Sequence, residues 1–320
     1  MIEGKTVFIT GGAGFIGSTL IGRLVEKNRI VVYDTFARDS LQDKPFTAHK
    51  NITRVRGDVL DAPAVEAAMK GADVVVHCAA IAGIDSVAKR PVTTLRVNII
   101  GSANVLEAAA RLPRCDRVVC FSTSEVFGQR AFRAAETDNT SVGAVGEPRW
   151  VYAVGKLAEE HLAIAYHSEQ QLPTVVVRPF NVYGPGQVGE GAIRNFVQRA
   201  LKNEPIDVHG DGTQIRSWCF VDDMVDAVLL AIAHPAAVGE SFNIGNARAT
   251  ATMRALADTI VRVLGSKSEV RHVHRDGPDV ELRIPATKKA SALLGFDAKI
   301  DLEEGLRRTG EFYAAIRSAG

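Results

Sequence analysis

The feature that most constrains how this chain can fold lies near its start. Val7, Phe8 and Ile9 read as a short buried strand, and Phe15, Ile16, Leu20, Ile21, Leu24 and Val25 repeat at helical spacing. Between the two runs stands Gly11-x-x-Gly14-x-x-Gly17. In a strand–turn–helix unit the first glycine permits the tight turn. The second lets the backbone approach a pyrophosphate at the helix N-terminus, and the third lets helix and strand pack closely. A second strand, Ile30 to Tyr33, ends in Asp34, seventeen residues after Gly17. A carboxylate there accepts hydrogen bonds from an adenosine ribose and repels a 2′-phosphate, so the expected cofactor is NAD rather than NADP.

The remaining apolar runs alternate with helical ones, the pattern of an α/β doubly wound parallel sheet of the Rossmann type. A third strand is expected from Thr53 to Val59, with Asp58 facing the adenine. The fourth is expected from Asp73 to Ala80, and its small residues Ala79 and Ala80 leave room for a cofactor to cross the strand end. One helix is expected from Pro91 to Arg111, with Asn98 as a polar residue close to the cofactor. A fifth strand, Arg117 to Phe121, ends in Ser122, Thr123, Ser124 and Glu125, where open α/β sheets place their chemistry. Residues 129–149 read as a long covering loop. Tyr152 opens a helix on which Lys156, four residues on, shares its face. A sixth strand, Thr174 to Arg178, precedes Phe180 and Asn181. The expected division is a Rossmann domain over 1–178 and a smaller C-terminal α/β lobe over 179–320 that holds the substrate, with the chain free to cross back to the large sheet.

Bulk composition narrows the function classes. A net charge of +1 without a basic run gives no support to nucleic acid as a partner, and no apolar run is long enough for a spanning helix. The expected location is cytoplasmic, with no membrane partner. Cys78, Cys115, Cys120 and Cys219 form no C-x-x-C pair, and the eight histidines show no ligand spacing, so no metal is expected. His77 reads as a hydrogen-bonded core residue. A tyrosine one helical turn from a lysine and beside a positively charged nicotinamide can serve as a base toward a sugar hydroxyl, with Thr123 holding the same oxygen.

Taken together, Gly11 to Gly17, Asp34, Asp58, Ser122 to Gly128, Tyr152-x-x-x-Lys156, Arg178 to Asn181 and Gly210 to Ser217 resemble the extended short-chain dehydrogenases that act on nucleotide sugars. The resemblance spans essentially the whole chain. It implies a tightly held NAD that is reduced and reoxidised in one turnover, a sugar oxidised at carbon 4, and a homodimer formed through the helices that follow Pro91 and Tyr152. The implied cofactor contacts are Gly11, Gly14, Phe15, Ile16, Gly17, Asp34, Asp58, Val59, Ala79, Ala80, Asn98, Ser122, Tyr152, Lys156 and Phe180. Thr123, Glu125, Tyr152, Lys156 and Arg283 are the implied catalytic set. Arg96, Ser124, Asn181, Arg216 and Arg283 are the implied substrate contacts, with Arg96 expected to meet a sugar carboxylate.

Within that family, Thr123-Ser124-Glu125 looks most like the UDP-glucuronate decarboxylases, because 4,6-dehydratases carry Asp where Ser124 stands. Oxidation of glucuronate at carbon 4 gives a β-keto acid, which loses carbon dioxide readily. Gly184-Pro185-Gly186-Gln187 also resembles epimerases, including those acting on UDP-glucuronate, whereas decarboxylases often carry arginine at the position of Gly186. A UDP-glucuronate or UDP-hexose 4-epimerase is therefore the alternative. A catalytically inactive NAD-binding scaffold is the second alternative, and such proteins typically lose the tyrosine or the lysine that this chain keeps.

Overall fold

The computed structural model describes residues 2–274, 277 and 279–319. Seven parallel strands form the large sheet: β1 (Thr6–Thr10), β2 (Arg29–Asp34), β3 (Ile52–Arg56), β4 (Val74–His77), β5 (Arg117–Phe121), β6 (Thr174–Pro179) and β7 (Ser241–Ile244). Their order is β7-β6-β5-β4-β1-β2-β3, so the strand order reverses between β1 and β4. That reversal opens a crevice at the carboxyl ends of the strands, the place where such sheets bind ligands.

Alternation along each central strand shows why the sheet is covered on both faces. Val7 and Ile9, Val74 and Val76, Val119 and Phe121, and Val175 and Val177 belong to one core. Phe8, Val75, Val118, Cys120 and Val176 belong to the core on the other side. Strands apolar at every position can satisfy both faces only between two layers of helices. Helix Phe15–Leu24 and helix Val221–Ala233 fill one layer, while helix Ser102–Ala110 and helix Val151–Gln170 lie in the other.

A third core, around Tyr183, Phe196, Trp218, Phe220, Leu256 and Ile260, belongs to the smaller lobe. There, Thr250–Thr252, Ile215–Ser217, Leu282–Pro285 and Arg130–Ala134 line up as a four-stranded sheet.

Three details differ from the expectation. The segment expected to be a covering loop contributes the strand Arg130–Ala134 to that second sheet. Ser241–Ile244, read with the smaller lobe, pairs with β6 and closes the edge of the large sheet, a crossing back that the expected division leaves open. The helix expected from Pro91 to Arg111 is interrupted by a π-helical turn, Arg96–Gly101. Its end lies hard against Val59, since a Cβ on Gly101 would sit 2.5 Å from the valine Cγ2. Among the described residues, no helix is long and apolar enough to cross a membrane.

Candidate active site

The glycine turn adopts its shape for lack of space. Gly11 has φ +65°, and a Cβ there would lie 2.6 Å from the backbone nitrogen of Ala79. A Cβ on Gly17 would lie 2.7 Å from the Cα of Gly12, so the helix meets the turn backbone to backbone. Gly14 caps helix Phe15–Leu24 without a side-chain hydrogen bond, and no acidic residue occupies the first turn. The helix thus presents unpaired N–H groups and the positive end of its dipole to whatever binds there.

Two adjoining cavities share this turn. One, of about 510 Å³, is lined by Gly11, Gly14, Phe15, Asp34, Asp58, Val59, Ala79 and Ala80. The other, of about 420 Å³, carries Gly11, Gly14, Phe15, Ile16 and Gly17 on one side and Ser122, Thr123, Ser124, Glu125, Tyr152 and Lys156 on the other. Asp34 accepts hydrogen bonds from the backbone N–H of Phe36 (2.9 Å) and of Ala13 (3.0 Å). Burial raises its carboxyl above the usual range, opposed by those two donors. Asp58 accepts from the N–H of Leu60 at 3.0 Å. A cradle that any Cβ would fill, an uncapped helix start and a carboxylate at the next strand end fit a dinucleotide.

Three of the expected contacts sit elsewhere. Asn98 is fully buried and uses its amide on the backbone of Ile81, accepting from the N–H at 2.9 Å and donating to the C=O at 3.2 Å. It therefore fixes the segment after β4 instead of lining either cavity. Phe180 is fully buried against Phe127, 6.3 Å between ring centroids, and its neighbours Pro179 and Asn181 reach the wall in its place. Arg96 is exposed on the π-helical turn and lines none of the cavities described here.

Helix Val151–Gln170 is anchored by charges that the sheet buries. Arg178 on β6 donates to Glu160 three times (3.0, 3.0 and 2.7 Å), and Ser241 on β7 donates to the same carboxylate at 2.8 Å. Removing one partner of such a pair typically costs about 3–5 kcal/mol, because the other charge stays buried. On β4, His77 contacts Thr10 (2.6 Å) and Ser102 (2.9 Å). Burial, reinforced by the charge of Lys156, pushes its pKa down to about 3, so it is a neutral core residue.

Tyr152 and Lys156 reach the cavity from that helix, but the lysine does not pair with the tyrosine. Its ammonium lies 2.5 Å from Glu159. Burial, then the charges of Glu125 and Glu159, hold the Tyr152 phenol well above its ordinary value, with the Thr123 hydroxyl pulling the other way. The expected lowering by Lys156 is not seen, and the close charge partner of the lysine is Glu159.

Beyond Tyr152 the cavity opens into a third, of about 760 Å³, on the smaller lobe. Glu125, Arg149, Asn181 and Arg283 line both spaces. Arg149 grips Glu125 through two hydrogen bonds (2.7 and 3.0 Å), and Arg283 approaches it at 3.8 Å while donating to the C=O of Gly128. Burial lowers the Arg283 pKa to about 10, with Glu125 opposing, so the guanidinium is charged at neutral pH. Two guanidiniums thus face one carboxylate. Deeper in the cavity, Arg216 is 3.4 Å from Asp279, and the Asn181 amide donates to the C=O of Ser217 at 2.8 Å.

Arg149 and Glu159 were not among the residues the sequence reading assigned to chemistry. Both had a local signal: Arg149 precedes Tyr152 by three positions, and Glu159 follows Lys156 by three, on the same helical face.

The comparisons agree with this geometry. Residues 7–245 match the NAD dependent epimerase/dehydratase family. The UDP-N-acetyl-alpha-D-glucosaminuronate decarboxylase of Bacillus cytotoxicus is 31% identical over 98% of this chain and 99% of its own length. UDP-glucuronic acid decarboxylase 3 of Arabidopsis thaliana is 34% identical over 94% of this chain and 86% of its own. A crystal structure of the UDP-glucuronic acid 4-epimerase of Bacillus cereus, with UDP-glucuronic acid and NAD, superposes with a TM-score of 0.86 at 26% identity, over 97% of this chain and 99% of that one. With the glycine cradle, the reversed strand order and the Tyr152–Lys156 helix in one cleft, the chain belongs to the NAD-dependent epimerase/dehydratase family.

Proposed function

We propose that the protein oxidises carbon 4 of UDP-glucuronate and decarboxylates the resulting 4-keto acid to a UDP-pentose. The observation that carries this reading is the pair Arg149 and Arg283 facing Glu125, one guanidinium in excess of what that carboxylate needs. A sugar acid brings the missing negative charge, and a buried carboxylate needs such a partner. The two arginines take over the role first expected of Arg96. The names of the relatives from Bacillus cytotoxicus and Arabidopsis support the same outcome.

Gly11, Gly14 and Asp34 would hold NAD+, which would supply the hydride acceptor for carbon 4. Tyr152 takes the proton from the 4-hydroxyl, and Thr123 hydrogen-bonds the same oxygen. Arg149 and Arg283 hold the carboxylate across the ring. The bond between carbons 5 and 6 then breaks as carbon dioxide leaves, and its electron pair enters an enolate whose oxygen Tyr152 and Thr123 hold. Glu125 governs the proton that carbon 5 must gain. The 4-keto pentose so formed would become UDP-xylose on return of the hydride to carbon 4 and of the Tyr152 proton to its oxygen, or leave as UDP-4-keto-xylose with the cofactor still reduced. Asn181 and Arg216 serve the nucleotide diphosphate, and Ser124 lies beside the sugar.

Incubation with UDP-glucuronate and NAD+ tests the reading. The expected result is carbon dioxide with a UDP-pentose. UDP-galacturonate with its carboxylate retained would instead establish the epimerase reading, which the similarity to the Bacillus cereus enzyme and Gly186 favour. A protein that binds NAD and turns over neither sugar would be a scaffold.

Cofactor choice follows from Asp34. NAD+ should bind much better than NADP+, and Asp34→Ala should narrow the gap by loss of the ribose contact and of the repulsion toward a 2′-phosphate. Calorimetric titration of both cofactors checks this, and equal affinities in the wild type would remove the assignment.

A homodimer is the proposed assembly. Val92 and Ile100 on the stretch after Pro91, and Val154 on the catalytic helix, expose 70%, 44% and 39% of their surface. These two elements pack on one another, so a second copy can cover both stripes at once. Light scattering at micromolar concentration should give twice the chain mass; a monomer would refute it. The four unpaired cysteines suit a reducing compartment, and the cytoplasm is the proposed location.

A further inference from the structure

Lys156 and Glu159 form an ion pair that the reaction above leaves without a task. Lys156 is 1% exposed and Glu159 is fully buried, one helical turn apart, with Nζ and Oε2 2.5 Å from one another. A carboxylate in such a place is costly unless a cation matches it, so the two charges stand or fall together.

The groups around the pair are accounted for. His77 on β4 is neutral and held between Thr10 and Ser102. Burial pushes the Cys78 thiol up to about 12, with Lys156 opposing and Glu159 and then Asp34 adding to it, and pushes Cys120 on β5 well above its ordinary value. Glu160, the next residue, is engaged by Arg178 and Ser241. Glu125, the other carboxylate that bears on Tyr152, is held by Arg149. Of the charges that bear on the phenol, Glu125 comes first and Glu159 next; Lys156, one helical turn from Tyr152 on the same face, is the cation that Glu159 holds.

We propose that Glu159 is a positioning residue: it keeps Lys156 as one half of a matched pair, so that Tyr152 stays protonated until the oxidised cofactor is in place. This role rests on the proposed use of Tyr152 as proton acceptor. A lysine acting alone would favour the phenolate at all times. With its charge matched, the positive nicotinamide becomes the deciding charge, and Tyr152 keeps its proton for return to the product whenever the ring is neutral. Burial, opposed by Lys156, pushes the Glu159 carboxyl up to about 6, so its hold on the lysine is itself responsive near neutral pH.

The test reads the phenol directly. Full-chain protein carrying tyrosine labelled with carbon-13 at Cζ is loaded with NADH, and the Tyr152 resonance is identified by its loss in Tyr152→Phe. Glu159→Gln keeps the shape and removes the charge, so the Tyr152 titration midpoint should fall by about one pH unit or more, the scale of one nearby charge. The acidic limb of the turnover–pH profile should move the same way. Should the glutamine variant fail to fold, Glu159→Asp draws the carboxylate back by one methylene and should move the midpoint in the same direction by a smaller step. An unmoved midpoint in the variant that folds overturns the role. A lowered midpoint in a protein that does not act on UDP-glucuronate would uphold this role and overturn only the choice of substrate.

Discussion

Tyr152→Phe is expected to bind UDP-glucuronate about as well as the wild type and to turn it over at least about a hundredfold more slowly, roughly 2.7 kcal/mol of lost barrier lowering. The substitution keeps the ring and its packing and removes one oxygen. In the proposed reaction that oxygen is the proton acceptor, in a site where Thr123 can share a hydrogen bond but cannot take a proton at neutral pH. Binding should survive because the proposed nucleotide contacts lie toward the smaller lobe, where Arg216 and Trp218 line a cavity that Tyr152 does not. Calorimetric binding beside steady-state turnover separates the two effects. Near-normal turnover would take Tyr152 out of the mechanism, and a large loss of binding would mean that the hydroxyl also positions the sugar.

What the sequence makes legible here is what the chain decides locally. The glycine turn was readable because strand, turn and helix are contiguous, and because Gly11 and Gly17 answer to contacts that a few residues create. Strands β4, β5 and β6 were readable because continuous valine-rich runs have few other solutions. Pairings across long separations were not. Arg130–Ala134 is a strand because Leu282–Pro285 lies beside it, more than 140 residues along the chain, and nothing in Arg-Ala-Phe-Arg-Ala itself announces a partner. Likewise, β7 joins the large sheet only because β6 offers it an edge.

The charged residues of the site divide in the same way. Tyr152 and Lys156 share a helical face, and that much follows from spacing. Whether Lys156 acts on Tyr152 or on Glu159 depends on which of the two is buried beside it, a matter of tertiary packing. The place of Arg96 did not follow from spacing. The resemblance alone put it at the sugar carboxylate, whereas it stands exposed at the start of the π-helical turn Arg96–Gly101. Arg149 is in place because the short turn Pro148–Trp150 seats Trp150 in the core and lays the guanidinium 5.0 Å from its ring, against Glu125.

Glu125→Gln should abolish carbon dioxide release from UDP-glucuronate while leaving oxidation at carbon 4 at least partly intact. The two half-reactions make different demands on this residue. Oxidation moves a proton from the 4-hydroxyl, which is the business of Tyr152 and Thr123. Decarboxylation changes the bonding at carbon 5, and Glu125 is the carboxylate on the cavity wall that lies within reach of both Arg149 and Arg283. Glutamine keeps one acceptor for Arg149 and so preserves much of the local geometry, but it can neither deliver nor withdraw a proton. Absorbance of reduced cofactor at 340 nm should therefore rise on mixing and persist, while trapped carbon dioxide stays at background. Replacement of Arg283 by Gln should act earlier, weakening the hold on the sugar carboxylate and reducing both signals together. Carbon dioxide release at the wild-type rate from the Glu125→Gln protein would move the proton transfer to another residue, and loss of the 340 nm signal as well would show that Glu125 is needed before carbon 5 is touched.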